Sequence, residues 1–420
     1  MTNFKFPNSF LFGAATSAHQ VEGNNCFNDW WEAESTDRIA FMSGDACRHY
    51  ELFEKDFDLA QQLHHSAHRF SIEWSRIEPT RGKFDTSQIN HYEKMIDALR
   101  ARNIEPIVTL HHFTLPIWLA KEGGWAHPES VAYFVRYAEM VTRLLDKKVK
   151  WWITINEPLV LLYQSYIVGE WPPFEKSFNQ AFLVMKHLLQ AHVQAYQKIK
   201  TLYPRAQVGL AKNMIYMTPC RRFSLDAIST KVRNYFFNHL FLKAIQKGKL
   251  DVPGVISCQL PVRDAMDFIG VNYYWRDYVH HHGFSLEGWI GKACSLEHHR
   301  DSGPRNMMDN EIYAPGLKAL LLQCRAYHKP ILIAENGICT EDDAQRQGFI
   351  HDHLNAVAQA MQLGVPVFGY LYWSLLDNFE WDKGFRPRFG LIEVDFQSQK
   401  RSIRPSAHFF RKICESREIS

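Results

Sequence analysis

Eight short apolar runs recur along the chain, and each closes on polar residues before a longer stretch with helical spacing follows. They read as strands at 9–14, 66–72, 105–111, 150–155, 207–213, 265–271, 330–334 and 367–373. β-Branched and aromatic residues in short runs suit strands buried on both faces. Apolar residues three and four apart mark helices between them: Phe53, Phe57 and Ala60 within 53–62, then Ile89, Tyr92, Met95, Ile96 and Leu99 within 89–102. Val131, Phe134, Val135, Ala138, Val141 and Leu145 do the same within 130–146, and the spacing returns in 178–201 and 350–363. Thr86-Ser87-Gln88 and Pro128-Glu129-Ser130 supply helix starts. No Ser/Gly/Pro linker or low-complexity segment interrupts the alternation, which predicts one α/β domain over residues 1–420, a (β/α)8 TIM barrel. The competing open, doubly wound sheet calls for a glycine-rich phosphate loop after the first strand, and none is present.

Such a barrel gathers polar side chains at the carboxyl ends of its strands, and the runs comply. Gln20-Val21-Glu22-Gly23 follows the first, Glu73-Trp74-Ser75-Arg76 the second, and His111-His112 ends the third. Asn156-Glu157 ends the fourth, Asn213 the fifth, Asn272-Tyr273-Tyr274 follow the sixth, and Glu335-Asn336 the seventh. Trp373 ends the eighth, with Glu380-Trp381 just beyond. Pro158 cannot donate to a ladder, so the fourth strand should stop at Glu157.

Two strand tips therefore deliver one glutamate each. Glycosidic bonds are cleaved by such a pair, one carboxylic acid protonating the leaving oxygen and a second carboxylate acting across the ring. The two acids must differ in pKa, so their surroundings must differ. Arg69 on the second strand would serve to keep Glu335 ionised, and Tyr274 would donate its hydroxyl to it. A single glutamate after a strand often does no more than cap the next helix. Two of them, flanked by asparagines inside a ring of polar tips, argue against that reading.

The rest of the chain excludes other classes. Lys plus Arg number 48 against 45 Asp plus Glu, without a basic block, so no nucleic-acid partner is expected. No run of about 18 apolar residues appears, so no membrane span is expected. The first residues lack a cationic-then-apolar leader, and the eight cysteines are scattered without a CxxC pair. Both features point to free thiols in the cytoplasm. His280-His281-His282 and His298-His299 lack the spacing of a defined metal geometry, so neither metal nor cofactor is expected. The 12 Trp, 17 Tyr and 29 Phe suit either a sugar-stacking site or simply a large core.

The motifs carry a resemblance. Thr154-Ile155-Asn156-Glu157-Pro158 and Ile333-Ala334-Glu335-Asn336-Gly337 resemble the paired signatures of family 1 glycoside hydrolases, the β-glucosidase family. The stretch from Phe10 to Gly23, Arg69-Phe70-Ser71-Ile72-Glu73-Trp74-Ser75-Arg76 and Gly270-Val271-Asn272-Tyr273-Tyr274 resemble further family motifs. So do the stretch from Trp373 to Trp381 and Arg388-Phe389-Gly390-Leu391. The matches run in order from residue 4 to about residue 410.

The resemblance implies a retaining exo-β-glycosidase acting on a small-molecule β-glycoside. Glu335 would attack the anomeric carbon, and Glu157 would protonate the leaving oxygen and then activate water. Asn156 would bind the sugar 2-hydroxyl, with Tyr274 and Arg69 holding Glu335. Gln20, His112, Asn272, Trp373, Glu380, Trp381 and Phe389 would complete the substrate-binding set. Alone, Gln20 reads as a loop hydrogen bond, His112 as a structural histidine and Trp381 as core. A carboxylate at Glu380 would repel a 6-phosphate, which implies unphosphorylated glucosides, with galactosides or fucosides as further possibilities. A 6-phospho-β-glycosidase, a transglycosylase and a non-catalytic glycan-binding protein are the alternatives.

Three departures stand out. Phe113 and Thr114 occupy positions where the family often has Trp and an acid, and Leu159 replaces a Trp. Only five residues separate Gly337 from Asp343, which opens the DxxR-like Asp343-Ala344-Gln345-Arg346. That short loop is expected to open the aglycone side and broaden aglycone tolerance.

Overall fold

The apolar runs form eight parallel strands: β1 (Leu11–Ala15), β2 (Ala67–Ser71), β3 (Glu105–His111), β4 (Trp151–Asn156), β5 (Gln207–Pro219), β6 (Phe268–His280), β7 (Ile331–Asn336) and β8 (Val367–Trp373). In this computed structural model, which describes residues 4–145, 148–222, 224–252 and 254–419, each strand bonds to the next. β8 returns to β1 through pairs such as Trp373↔Ala15, so the sheet closes into a (β/α)8 barrel. Among the helices between and after them are α1 (His49–Gln62), α2 (Thr86–Ala101), α3 (Ser130–Leu145), α4 (Phe178–Leu202), α5 (Leu240–Lys247), α6 (Ala314–Cys324), α7 (Asp343–Gln362) and α8 (Pro405–Ser416).

Helix boundaries follow local chemistry. Asp85 caps α2 by accepting from the Ser87 N–H at 2.9 Å, and Asp342 caps α7 by accepting from Ala344 at 2.9 Å. The latter cap starts α7 seven residues before the apolar periodicity announces it. α1 begins earlier than its apolar spacing implies, because His49 bonds to Asp56 one turn pair along at 2.8 Å. The expected end of α3 at 146 falls outside the described residues. Helices α5, α6 and α8 escaped the periodicity reading; α6 buries Leu317, Leu320, Leu321 and Cys324 on a run too uniformly apolar to show a stripe.

β5 and β6 were expected to end at 213 and 271. Instead both overrun the barrel mouth and pair with each other from Tyr216↔Arg276 to Pro219↔Val279. The overrun is stabilised by its own small cluster of Ile215, Met217 and Val279.

Two hydrophobic layers hold the barrel. One lies between strands and helices. The other fills the bore with Ala15, Ala67, Ile107, Ile153, Ala211, Leu332, Ala334 and Leu371. Trp151 stacks on Phe368 with ring centroids 4.6 Å apart, and Phe268 meets both edge-on, so aromatic rings close the amino-terminal end of the bore. Among the described residues, no helix is long and apolar enough to cross a membrane.

Strands β4 and β7 break the simple alternation. The β4 ladder passes from Ile153↔Gly209 to Asn156↔Ala211, three steps on β4 for two on its partner. The β7 ladder passes from Ile333↔Tyr370 to Asn336↔Tyr372 in the same way. An extra residue of this kind re-aims the side chains beyond it. Ile153 faces the bore, Thr154 points out to His192 of α4 at 2.6 Å, and Asn156 turns back to the mouth. Close strand approach also requires Gly13, since a Cβ there would stand 1.7 Å from the Ala67 carbonyl oxygen. Gly13→Ala should therefore lower stability by about 3 kcal/mol, measured by urea unfolding; a loss under about 1 kcal/mol would mean that β1 and β2 separate freely.

Candidate active site

Arg69, on β2, is completely buried and lies where β2, β3, β4 and β7 meet. A buried guanidinium has to be paired and hydrogen-bonded. Nε donates to Thr109 Oγ1 at 2.9 Å, Nη2 to Asn156 Oδ1 at 2.7 Å, and Nη1 to Glu335 Oε1 at 2.6 Å and the Ala334 carbonyl at 3.2 Å. The Tyr274 hydroxyl donates to the other Glu335 oxygen at 2.5 Å.

Glu157 is held differently. Its Oε1 accepts from Asn272 Nδ2 at 2.7 Å and from Asn213 Nδ2 at 3.3 Å. The same Asn272 nitrogen reaches Asn156 Oδ1 at 3.2 Å, the oxygen that also accepts from Arg69. The donors of the two carboxyls thus meet on Asn156. Glu157 has a left-handed backbone, φ 43°, at the turn where β4 gives way to the helix opened by Pro158. That conformation costs on the order of 1 kcal/mol for a residue with a Cβ, and it persists because the surroundings enforce it.

These surroundings separate the two acids. Burial first, and then the Glu335 charge, push the Glu157 carboxyl up to about 7. Burial also raises Glu335, but the Arg69 cation and the Tyr274 hydroxyl pull in the opposite direction. One carboxyl is held by a cation and a phenol, the other by neutral amides. Lys212, buried on β5 with its Nζ 4.4 Å from the Phe237 ring centre, is itself driven down to about 7 by burial and adds a small opposing effect at Glu157. Nothing in the pattern of the fifth strand marked it as part of this site.

Around the pair lies a hollow lined by Gln20, His112, Asn156, Glu157, Tyr274, Glu335, Trp373, Glu380, Trp381 and Phe389. Arg69 and Asn272 stand behind this lining. Asn272, expected among the sugar-binding residues, is fully buried with its amide committed to Asn156 and Glu157. His112 Nε2 accepts from Asn156 Nδ2 at 3.2 Å, which leaves the ring proton on Nδ1, and burial keeps the ring neutral. His112 lies nearly parallel to Trp373 and to Trp381, with interplanar angles of 18° and 13°. Phe389 presents an edge to Tyr274 at 6.1 Å.

Gln20 Nε2 reaches Asn378 Oδ1, the Phe379 carbonyl and Glu380 Oε2 at 3.1, 2.9 and 3.1 Å. Glu380, buried and facing Glu335, Asp382 and Glu157, is pushed up to about 8, burial being the main cause. The loop carrying these residues is anchored by Asp377, which accepts from Arg404 at 2.9 and 2.8 Å and from the Gly390 N–H at 2.9 Å.

The departures in sequence have structural outcomes. Phe113 lines the hollow and packs on Trp171 and Trp381, whereas Thr114 donates to Glu73 at 3.0 Å. Asp343 bonds Arg346 and Ser406 at 2.6 Å, so the DxxR pair joins α7 to α8. The short loop after β7 does not simply leave space. Asn306, Met308 and Asn310, from the β6–β7 connection, line the hollow, and the Met307 N–H donates to the Cys339 carbonyl at 3.1 Å. No motif marked these residues, because their position follows from a long loop folding back. A larger cavity, about 260 Å³ against about 170 Å³, lies around Asp29, Trp125 and Tyr166; neither Glu157 nor Glu335 lines it, so chemistry rather than size selects the site.

Comparison with known proteins identifies the family. The family model for glycosyl hydrolase family 1 matches residues 2–419. The chain is similar to the solved β-glycosidase from Pyrococcus horikoshii, with 41% identity and a TM-score of 0.94 over 100% of this chain and 97% of that one. It is similar to the solved β-glucosidase from Thermotoga maritima in complex with glucoimidazole, with 29% identity and a TM-score of 0.91 over 98% and 99% of the two chains. It is also 31% identical to β-glucosidase A of Thermotoga maritima over 98% of each sequence.

A carboxyl whose folded pKa lies above its unfolded value costs stability in its ionised form. For Glu157 that cost is absent below pH 4.5, grows as pH rises, and is complete above about 7. Glu157→Gln should therefore gain stability relative to the parent as pH rises from about 5 to 8, by roughly 3 kcal/mol in all. Parallel unfolding curves at each pH check this, and a constant difference would contradict the burial argument.

Proposed function

The chain belongs to glycosyl hydrolase family 1 and is a glycosidase, and from that premise we propose that it is a retaining exo-β-glycosidase of unphosphorylated β-D-glucosides, with β-galactosides or β-fucosides as further substrates. The supporting observation is the pair of unlike carboxyls, Glu335 held by Arg69 and Tyr274 and Glu157 by Asn272 and Asn213. Acids whose donors, Asn272 and Arg69, converge on the single Oδ1 of Asn156 suit the about 5–5.5 Å separation of retaining enzymes better than the about 6.5–9.5 Å that leaves room for water in inverting ones.

In this reading Glu335 is the nucleophile. Arg69 and Tyr274 stabilise its ionised form and fix both oxygens, so attack on the anomeric carbon needs little reorganisation. Glu157, with its carboxyl near 7, keeps a proton to give the leaving oxygen. The aglycone then departs with that proton, and a glycosyl ester remains on Glu335. Glu157, now ionised, takes a proton from water; the oxygen of that water attacks the anomeric carbon and releases Glu335. Asn156, fixed by Arg69 and His112, is positioned for the sugar 2-hydroxyl, where a hydrogen bond strengthens in the transition state.

The substrate class follows from Glu380 and Gln20. A buried acid beside two other acids receives neutral hydroxyls and disfavours a phosphate dianion. Lys383 lines the same hollow but is bonded to Asp382, which offsets its charge. On p-nitrophenyl β-glycosides with and without a 6-phosphate, kcat/KM should be higher for the unphosphorylated sugars; the reverse order would overturn the substrate assignment.

Two variants test the roles. Glu335→Gly should lose at least about 10⁴-fold in turnover, with azide restoring reaction as an α-glycosyl azide. Glu157→Ala should keep activity toward aryl glycosides with good leaving groups, which need no protonation, and azide should there give the β-azide. An α-product from the second variant would exchange the two assignments.

A further inference from the structure

Beyond the barrel mouth, the overrunning ends of β5 and β6 meet a short strand, Lys292–Ala293, which pairs with the free side of β6. Cys220 follows β5, and its N–H donates to the Val279 carbonyl at 2.9 Å. Cys294 follows the short strand, and its N–H donates to the Tyr278 carbonyl at 2.9 Å. Successive carbonyls of one strand point to opposite sides, so the two thiols approach each other from the two flanks of β6. His298 Nδ1 lies 3.4 Å from Cys220 Sγ. The donor atoms of Cys220, Cys294 and His298 all lie within 4.8 Å of one another. His280, at the end of β6, forms a second triangle of that size with Cys220 and Asp226, and its buried Nδ1 makes no hydrogen bond. None of these side chains lines the sugar hollow.

The geometry points to a structural Zn²⁺ site made by Cys220, Cys294, His298 and His280. Two thiolates with two imidazoles are the donor set of tetrahedral zinc and not of magnesium or calcium. With Zn–S near 2.3 Å and Zn–N near 2.0–2.1 Å, a tetrahedron has edges of about 3.4–3.8 Å. The 3.4 Å contact of Cys220 with His298 already matches, Cys294 lies within 4.8 Å of both, and His280 lies within the same distance of Cys220. A disulfide fits less well: two strand spacings put the cysteine backbones about 9–10 Å apart, beyond the about 7 Å that an S–S bond spans. A metal adds a second bond length to the bridge.

The supporting shell suits the same ligands. His299 Nε2 lies 3.4 Å from Cys220 Sγ, and its ring is stacked on Tyr278 at 3.7 Å, so it is held ready to donate to the thiolate. Asp226 lies 3.6 Å from His280 Nδ1 but is committed to Arg221 at 2.8 Å and to the His281 N–H at 2.8 Å, which makes it a neighbour rather than a ligand. Binding would release the two thiol protons and tie the end of β5 to the 281–311 connection, whose Asn306 and Asn310 reach the sugar hollow. The histidine runs alone lack metal spacing because both thiolates come from outside them.

The test uses the full chain, reduced and stripped with chelator, then titrated with Zn²⁺ alone or Co²⁺ alone. One Zn²⁺ per chain should survive gel filtration and raise the melting temperature, and Co²⁺ should give a thiolate charge-transfer band with the intense visible bands of a tetrahedral site. Cys220→Ser and His298→Ala should each weaken Zn²⁺ binding by more than about 100-fold while leaving p-nitrophenyl glucoside hydrolysis unchanged. His298 is exposed, so the second variant tests the ligand without threatening the fold. Absence of stoichiometric binding by the reduced parent, equal binding by both variants, or a Cys220–Cys294 disulfide in the purified protein would each overturn the site.

Discussion

The charge of Arg69, sealed inside the barrel, is the interaction on which the rest of the site depends. It is sealed from bulk solvent, so its donors are met by protein oxygens. The partners available come from three other strands: Thr109 on β3, Asn156 on β4, and Ala334 and Glu335 on β7. Satisfying one guanidinium therefore sets the relative positions of three strand tips. It also fixes the orientation of the Glu335 carboxylate and of the Asn156 amide, which in turn holds His112. Stability and positioning cannot be separated here, since an unpaired guanidinium in this place would cost far more than an ordinary surface ion pair contributes.

Closure of the barrel supplies the second constraint. In a regular strand, neighbouring residues face opposite sides. The extra residues in β4 and β7 break that rule just where the two glutamates stand. In β7, Ala334 and Glu335 both serve the interior, and Asn336 turns outward to bond the Tyr273 carbonyl and the Tyr370 hydroxyl at the barrel wall. In β4, Ile155 joins the outer core and Asn156 returns to the mouth. The difference between the carboxyls then comes from their neighbours: a cation and a phenol for one, amides for the other.

Much of this was legible in the sequence, and the parts that were not share a cause. Strand positions were readable because both faces are buried and the runs are short and apolar. Glu157 and Glu335 stood out because acids at two strand tips, inside a ring of polar tips, have few bland explanations, whereas Gln20, Glu380 and Trp381 took their expected roles from the family resemblance. The ends of β5 and β6 were not, because their continuation depends on each strand finding the other beyond the barrel. Asn306, Met308 and Asn310 gave no signal, because a long connection carries no periodicity that records where it folds back. Asn272 was legible as a strand-tip residue, but its side chain turned out to lie behind the lining.

By itself, then, the order of residues determined a closed α/β barrel with acids, amides and aromatic rings gathered at one end. It did so because hydrophobic period and the placement of proline, glycine and charge act over a few neighbouring positions. Only the tertiary structure decided which way each of those side chains points, which acid receives the cation, and which loop lines the hollow beside them. Those outcomes depend on strand register and on the requirement that a buried charge be paired, and both are settled between segments that lie far apart in the chain.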